Sequence, residues 1–187
     1  MLKKLIHASA VAAFAVAAVV SVQGSAVAAD PPKADAKADA AKAGGSTDYT
    51  KVAPPDLVKN TPKGKLVNPY KDTQADIVAQ GAQFLQSYSC SGCHGGGGGG
   101  GMCPPLTNDT WVYGGDDDTL FRLVTLGSDE LQKQGYSRKG RENVVGPMPP
   151  FGGIIKSSDD LWKTLTFVRS RYSGDPAYKF GAPPESD

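Results

Sequence analysis

Cys90-Ser91-Gly92-Cys93-His94 constrains this chain more than any other stretch. Cys-x-x-Cys-His is the pattern that attaches a c-type haem: two thiols add to the vinyl groups of one porphyrin, and the adjoining histidine is placed under the iron. A zinc knuckle would need a second pair of ligands, and a thioredoxin-like dithiol usually sits between a strand and a helix. Neither context is present, because there is no second Cys-x-x-Cys and the other histidine is His7, near the N-terminus. Haem attachment is therefore the reading carried forward, with Cys90, Cys93 and His94 as its residues.

The N-terminus reads as a secretory leader. Lys3 and Lys4 make a short positive region, Ala8 to Val20 is an apolar run rich in alanine, and Ala26-Val27-Ala28-Ala29 offers a small-residue cleavage site. A membrane anchor would need about 20 strongly apolar residues, so export to the periplasm without stable membrane insertion is expected. Removing Lys3 and Lys4 from the 20 basic residues leaves 18 against 19 acidic ones, a net charge of −1. Such a balance provides no bulk basic field for nucleic acid.

Composition divides the remainder. Residues 30–65 are rich in alanine, lysine, aspartate and proline, as in Lys33-Ala34-Asp35-Ala36-Lys37, and are expected to form a flexible linker because they offer no large apolar face. Residues 66–178 are the size of one small domain, with 179–187 as a tail. A porphyrin would supply apolar bulk that a domain of this size otherwise lacks. One domain and one haem are expected, which leaves Cys103 as the unused thiol; it is expected to be buried beside the attachment loop.

Helical periodicity flanks the motif. Thr73 can cap a helix towards Tyr88, with Ile77, Val78, Phe84, Leu85 and Tyr88 on one stripe and Gly81 as a small residue where another helix could cross closely. Asp116-Asp117-Asp118 suits the N-terminus of a helix ending at Gly127 and lacks the spaced ligands of a calcium loop. Ser157 or Ser158 can cap a last helix carrying Leu161, Trp162, Leu165, Val168 and Tyr172. No useful strand-period stretch appears.

Two loops flank the middle helix. Gly95 to Gly101 is a run of seven glycines, either a floppy surface loop or one that brings backbone close to the porphyrin. Gly146-Pro147-Met148-Pro149-Pro150-Phe151 is stiffened by proline and presents Met148 as a long apolar side chain. Lys133, Arg138, Lys139 and Arg141 precede it as a basic cluster, which could be a solvated face, a docking patch or a counterion for the haem carboxylates.

From about Asp72 to Tyr172 the order of these features resembles a class I cytochrome c. The resemblance implies an all-α fold whose helices pack around one covalently attached haem, with long loops between them. His94 would be the proximal iron ligand and Met148 the distal one, and the Pro104 carbonyl would accept the ring N–H of His94. Gly81 and Phe84 would meet the Trp162 and Leu165 face of the last helix. The glycine run ending in Met102-Cys103-Pro104-Pro105-Leu106, the Trp111-Val112-Tyr113-Gly114 segment and the Met148 loop are similar to the periplasmic cytochromes that serve quinoprotein methanol dehydrogenases, particularly the lanthanide-dependent type. That likeness implies a one-electron carrier rather than an enzyme. Its donor would be a PQQ-dependent methanol or alcohol dehydrogenase, and its acceptor a downstream cytochrome or oxidase. Cys103, where a glycine commonly precedes the proline, and the long loop before Met148 depart from the class I pattern. The alternatives are a haem enzyme or gas or redox sensor with an open axial position, thiolate ligation by Cys103, or Met102 in place of Met148.

Overall fold

The computed structural model describes residues 47–140 and 146–181. The leader, residues 30–46 of the expected linker, Arg141 and the end of the C-terminal tail lie outside these residues. Among the described residues the chain is all-α: α1 (Pro54–Asn60), α2 (Ala75–Ser87), α3 (Ser91–His94), α4 (Asp117–Leu126), α5 (Ser128–Lys133) and α6 (Ser158–Ser170), with short 3-10 turns at Tyr49–Lys51 and Pro176–Tyr178. None of these helices is long and apolar enough to cross a membrane.

The two terminal helices form the frame, because α2 and α6 share the most extensive interface. Gly81 sets their approach. A Cβ at this position would lie 2.0 Å from the Lys163 carbonyl oxygen and 2.9 Å from Phe167 Cβ, so only glycine lets the α6 backbone come this close. The crossing differs from the expected register: Gly81 abuts Lys163 and Phe167, while Trp162 turns to the other side. Trp162 is fully buried and packs its ring 4.3 Å from Phe121 of α4 and 6.5 Å from Tyr49.

The starts of α4 and α6 are specified locally. The Asp116 carboxylate accepts from the Thr119 N–H at 2.8 Å, and the Ser157 hydroxyl accepts from Asp160 N–H at 3.2 Å, each satisfying an orphan donor of the first turn. Thr73 is not a cap. The α2 N-cap is Gln74, whose side-chain oxygen instead accepts from the Lys71 N–H at 2.7 Å. The three consecutive aspartates serve separate structural bonds, and no metal-ligating cluster occurs among the described residues. Asp117 accepts from Asn68 N–H and pairs with Arg169. Asp118 accepts from Leu66 N–H, Arg122 and Tyr136.

The boundary at residue 65 needs correction. Residues 49–60 form a 3-10 turn and α1, and Val58 is only 8% exposed within the main core cluster. Arg122 pins this segment by donating to the carbonyls of Val58 (3.4 Å) and Thr61 (2.7 Å). Isolated apolar residues in a polar stretch, Tyr49, Leu57 and Val58, form no periodic stripe, yet each packs on or into the core. The C-terminal boundary moves too, since Lys179 pairs with Asp72 and the Phe180 ring lies 4.7 Å from the Arg169 guanidinium.

Candidate haem site

The attachment motif is positioned by a sharp turn at the end of α2. Ser89 adopts φ 62°, a left-handed conformation that is uncommon for a residue with a Cβ. Its N–H bonds back to the Gln86 carbonyl at 3.0 Å and its own carbonyl accepts from Gly92 N–H at 3.1 Å, so the chain reverses and starts α3. Cys90 is thereby buried, and Cys93 half-buried. Burial pushes the Cys90 thiol pKa up. His94 closes the one-turn helix with its N–H on the Cys90 carbonyl at 3.0 Å.

His94 is oriented by the next loop. Its Nδ1 lies 2.8 Å from the Pro104 carbonyl oxygen. A carbonyl can only accept, so Nδ1 carries the proton and Nε2 keeps its lone pair for a metal. The glycine run that leads to Pro104 is folded: Gly100 N–H donates to the His94 carbonyl at 2.9 Å, Cys103 N–H to the Cys93 carbonyl at 3.1 Å, and Leu106 N–H to the Gly98 carbonyl at 2.7 Å. Glycine is required at Gly101, where a Cβ would stand 2.9 Å from the Cys93 carbonyl oxygen. The run is thus tied to the attachment turn by hydrogen bonds, and none of its seven glycines lines the cavity described below.

Met148 arrives from the far side of the sequence. Its N–H donates to the Ser128 hydroxyl at 3.0 Å and its carbonyl accepts from Ser128 N–H at 2.9 Å, so the residue is held on both sides of its Cα. The following residues lie along the end of α4, where Phe151 and Gly152 donate to the carbonyls of Val124 (2.9 Å) and Thr125 (3.1 Å). These bonds satisfy carbonyls that the helix terminus leaves open. The short helix α5, which supplies Ser128, has no apolar stripe of its own.

Cys90, His94 and Met148 all line one cavity. It opens to solvent and has a volume of about 140 Å³, and its walls are Leu85, Leu106, Trp111, Leu120, Leu165 and Val168 among others. That apolar character suits a large flat cofactor. Trp111 is fixed there by its indole N–H on the Leu106 carbonyl at 3.0 Å and by an edge contact with Tyr172 at 5.2 Å. Met102 is 61% exposed and does not line the cavity.

Cys103 departs from expectation. It is half-buried rather than buried, lines the cavity, and its thiol contacts that of Cys93. Its pKa is raised, first by desolvation and then by the neighbouring thiol. Of the basic cluster, Lys133 pairs with Glu130 at 3.4 Å on the surface, Arg138 is partnered, and Arg141 lies outside the described residues.

The donor set fits a haem: a thiol pair with a neighbouring histidine, that histidine protonated on the nitrogen facing a carbonyl, and a methionine brought to the same apolar cavity. The fold and this site together define a class I c-type cytochrome domain, a haem electron carrier. Within that class, residues 76–168 match the family model for cytochrome c oxidase, cbb3-type, subunit III. No curated protein matches the chain.

Proposed function

We propose that this chain is a periplasmic one-electron carrier that accepts electrons from a PQQ-dependent methanol or alcohol dehydrogenase and passes them to a downstream cytochrome or oxidase, without catalysing a reaction itself. The observation that carries the carrier reading is that His94 and Met148 both reach one apolar cavity with Cys90. When bound there through Cys90 and Cys93, a haem supplies a one-electron iron couple, whose potential a thioether ligand raises. His94 and Met148 are the residues that would hold its iron, and with both engaged no position is left for substrate. The chain's own part is to orient and to exclude water. The Pro104 carbonyl fixes the His94 ring, Ser128 fixes Met148, and the walls keep the site apolar, so little has to rearrange when the charge changes.

The donor is suggested by the three segments that resemble cytochromes serving methanol dehydrogenases, all of which contribute to this cavity: Cys103-Pro104-Pro105-Leu106, Trp111-Val112-Tyr113 and Gly146 with Met148. The secretory leader read in residues 1–29 agrees with a periplasmic donor. Stopped-flow mixing of the ferric holoprotein with a substrate-reduced quinoprotein alcohol dehydrogenase is the test. Rapid reduction that saturates with dehydrogenase and slows with salt is expected of a transient, electrostatically guided encounter. No reduction by such a dehydrogenase would remove the donor, and carbon monoxide binding to the untreated ferrous protein at neutral pH would remove the closed-site carrier in favour of an open-site haem protein.

A further inference from the structure

Residues 139–140, which follow α5, are held against the cavity wall by a short clamp. Lys139 N–H and Gly140 N–H both donate to the Val112 carbonyl, at 2.7 and 3.1 Å. Val112 and its neighbour Tyr113 are cavity-lining residues. Glycines on both sides of the clamp make room for it. A Cβ at Gly140 would lie 3.1 Å from Val112 Cα, and a Cβ at Gly114, which has φ +97°, would lie 3.1 Å from both Cδ and Nζ of Lys139. The stem of Lys139, an exposed residue, thus lies over the space that Gly114 leaves empty, and Gly114 is next in the chain to the wall residues Val112 and Tyr113.

A haem c carries two carboxylates on the half of the macrocycle remote from its thioether carbons. Among the described residues that line the cavity there is no lysine or arginine, so a carboxylate entering with the ring has no cationic partner on the walls. Charges withdrawn from water need such a partner. Arg122, Lys163, Arg169 and Lys179 are each paired with an aspartate. Lys139 forms no ion pair among the described residues, and its ammonium lies against Gly114, which follows the cavity-lining Val112 and Tyr113.

We propose that Lys139 is a haem-binding residue: its ammonium pairs with a haem carboxylate at the Val112–Gly114 rim and thereby raises the reduction potential of the iron. This rests on the haem reading of the site, and it separates Lys139 from its neighbours in the basic cluster. Reduction adds an electron to the ring and iron, and a carboxylate neutralised by Lys139 opposes that electron less than a free one does.

The test is spectroelectrochemistry of the holoprotein and of Lys139→Met, Lys139→Arg and Lys133→Met at low ionic strength. At a fixed ambient potential near the wild-type midpoint, Lys139→Met should lower the ferrous-to-ferric ratio about two- to fivefold, the range that partly exposed ion pairs support. Lys139→Arg should restore the wild-type ratio, and Lys133→Met, a cation paired with Glu130 away from the cavity, should leave it unchanged. An unchanged ratio in Lys139→Met would overturn the proposal. Equal shifts in Lys139→Met and Lys133→Met would also overturn it, because they would report net charge rather than a specific pair. Absence of haem from the wild-type protein would instead refute the site reading on which the proposal stands.

Discussion

Replacing Gly81 by alanine tests whether the α2–α6 crossing is set by the absence of one methyl group. In an isolated helix alanine is favoured over glycine by about 1 kcal/mol, so local propensity alone predicts a more stable protein. The tertiary structure predicts the reverse. The new Cβ would stand 2.0 Å from the Lys163 carbonyl oxygen, 2.7 Å from the Lys163 carbonyl carbon and 2.9 Å from Phe167 Cβ. Two of these atoms are backbone, so no rotamer change relieves the overlap, and α6 has to move by about 1 Å or more to recover ordinary contact. Overpacking of this kind costs roughly 1–3 kcal/mol, and a clash with backbone belongs at the upper end. Subtracting the helical gain leaves a net loss of about 2 kcal/mol. At about 4 °C per kcal/mol for a domain of this size, the midpoint of thermal unfolding should fall by about 8 °C. Circular dichroism melts of the ferric holoprotein at equal haem loading provide the measurement. Gly153→Ala, where a Cβ meets nothing within 4 Å, is the control and should shift the midpoint little. A Gly81→Ala protein as stable as wild type, or more so, would refute the close-crossing argument. Because Leu165 and Val168 of α6 line the haem cavity, displacement of α6 should also perturb the haem absorption bands, which Gly153→Ala should leave alone.

Four further outcomes follow from the site and its supports. Met148→Ala should abolish the weak near-infrared sulfur-to-iron band of the ferric protein while Met102→Ala preserves it; the opposite result would make Met102 the ligand. Arg122→Met leaves the Asp118 carboxylate buried without its cation, both side chains being only about 4–6% exposed, and should cost about 3–5 kcal/mol in urea unfolding; a loss below 1 kcal/mol would show the pair to be dispensable. Although burial by itself would raise the Asp118 pKa, Arg122, Tyr136 and backbone N–H groups hold it below its ordinary value, so this contribution is fully present above the unfolded pKa of about 4 and is lost as pH falls through the folded value; acid titration of stability should be shallower below pH 4 in Arg122→Met than in wild type. Cys103, half-buried beside Cys93, should react with a small maleimide more slowly than a free thiol but completely; a dominant disulfide dimer on non-reducing electrophoresis that vanishes in Cys103→Ser would show the thiol to be open at the surface instead.

The candidate haem site was legible in the sequence because the attachment pattern is local. Cys90, Cys93 and His94 lie within five residues, so spacing alone places both thiols and the imidazole. The same locality applies to the caps at Asp116 and Ser157 and to the amphipathic stripes of α2 and α6, which depend on neighbours within one or two turns. Gly81 announced a close crossing for the same reason, although not which residues of α6 it would meet. What lay outside reach depended on partners distant along the chain. The turn at Ser89 uses a left-handed residue that is not glycine, and nothing in a serine marks it. Residues 49–60 read as polar linker, yet Arg122 and the core hold them as part of the domain. Folding of the glycine run is likewise decided by carbonyls on either side of it rather than by glycine itself, which loses more conformational entropy on ordering than any other residue. Met148 could be singled out from its prolines, but its meeting with Cys90 and His94 in one cavity is a property of the assembled helices, since α4, α5 and the Ser128 bonds bring it there from more than 50 residues away.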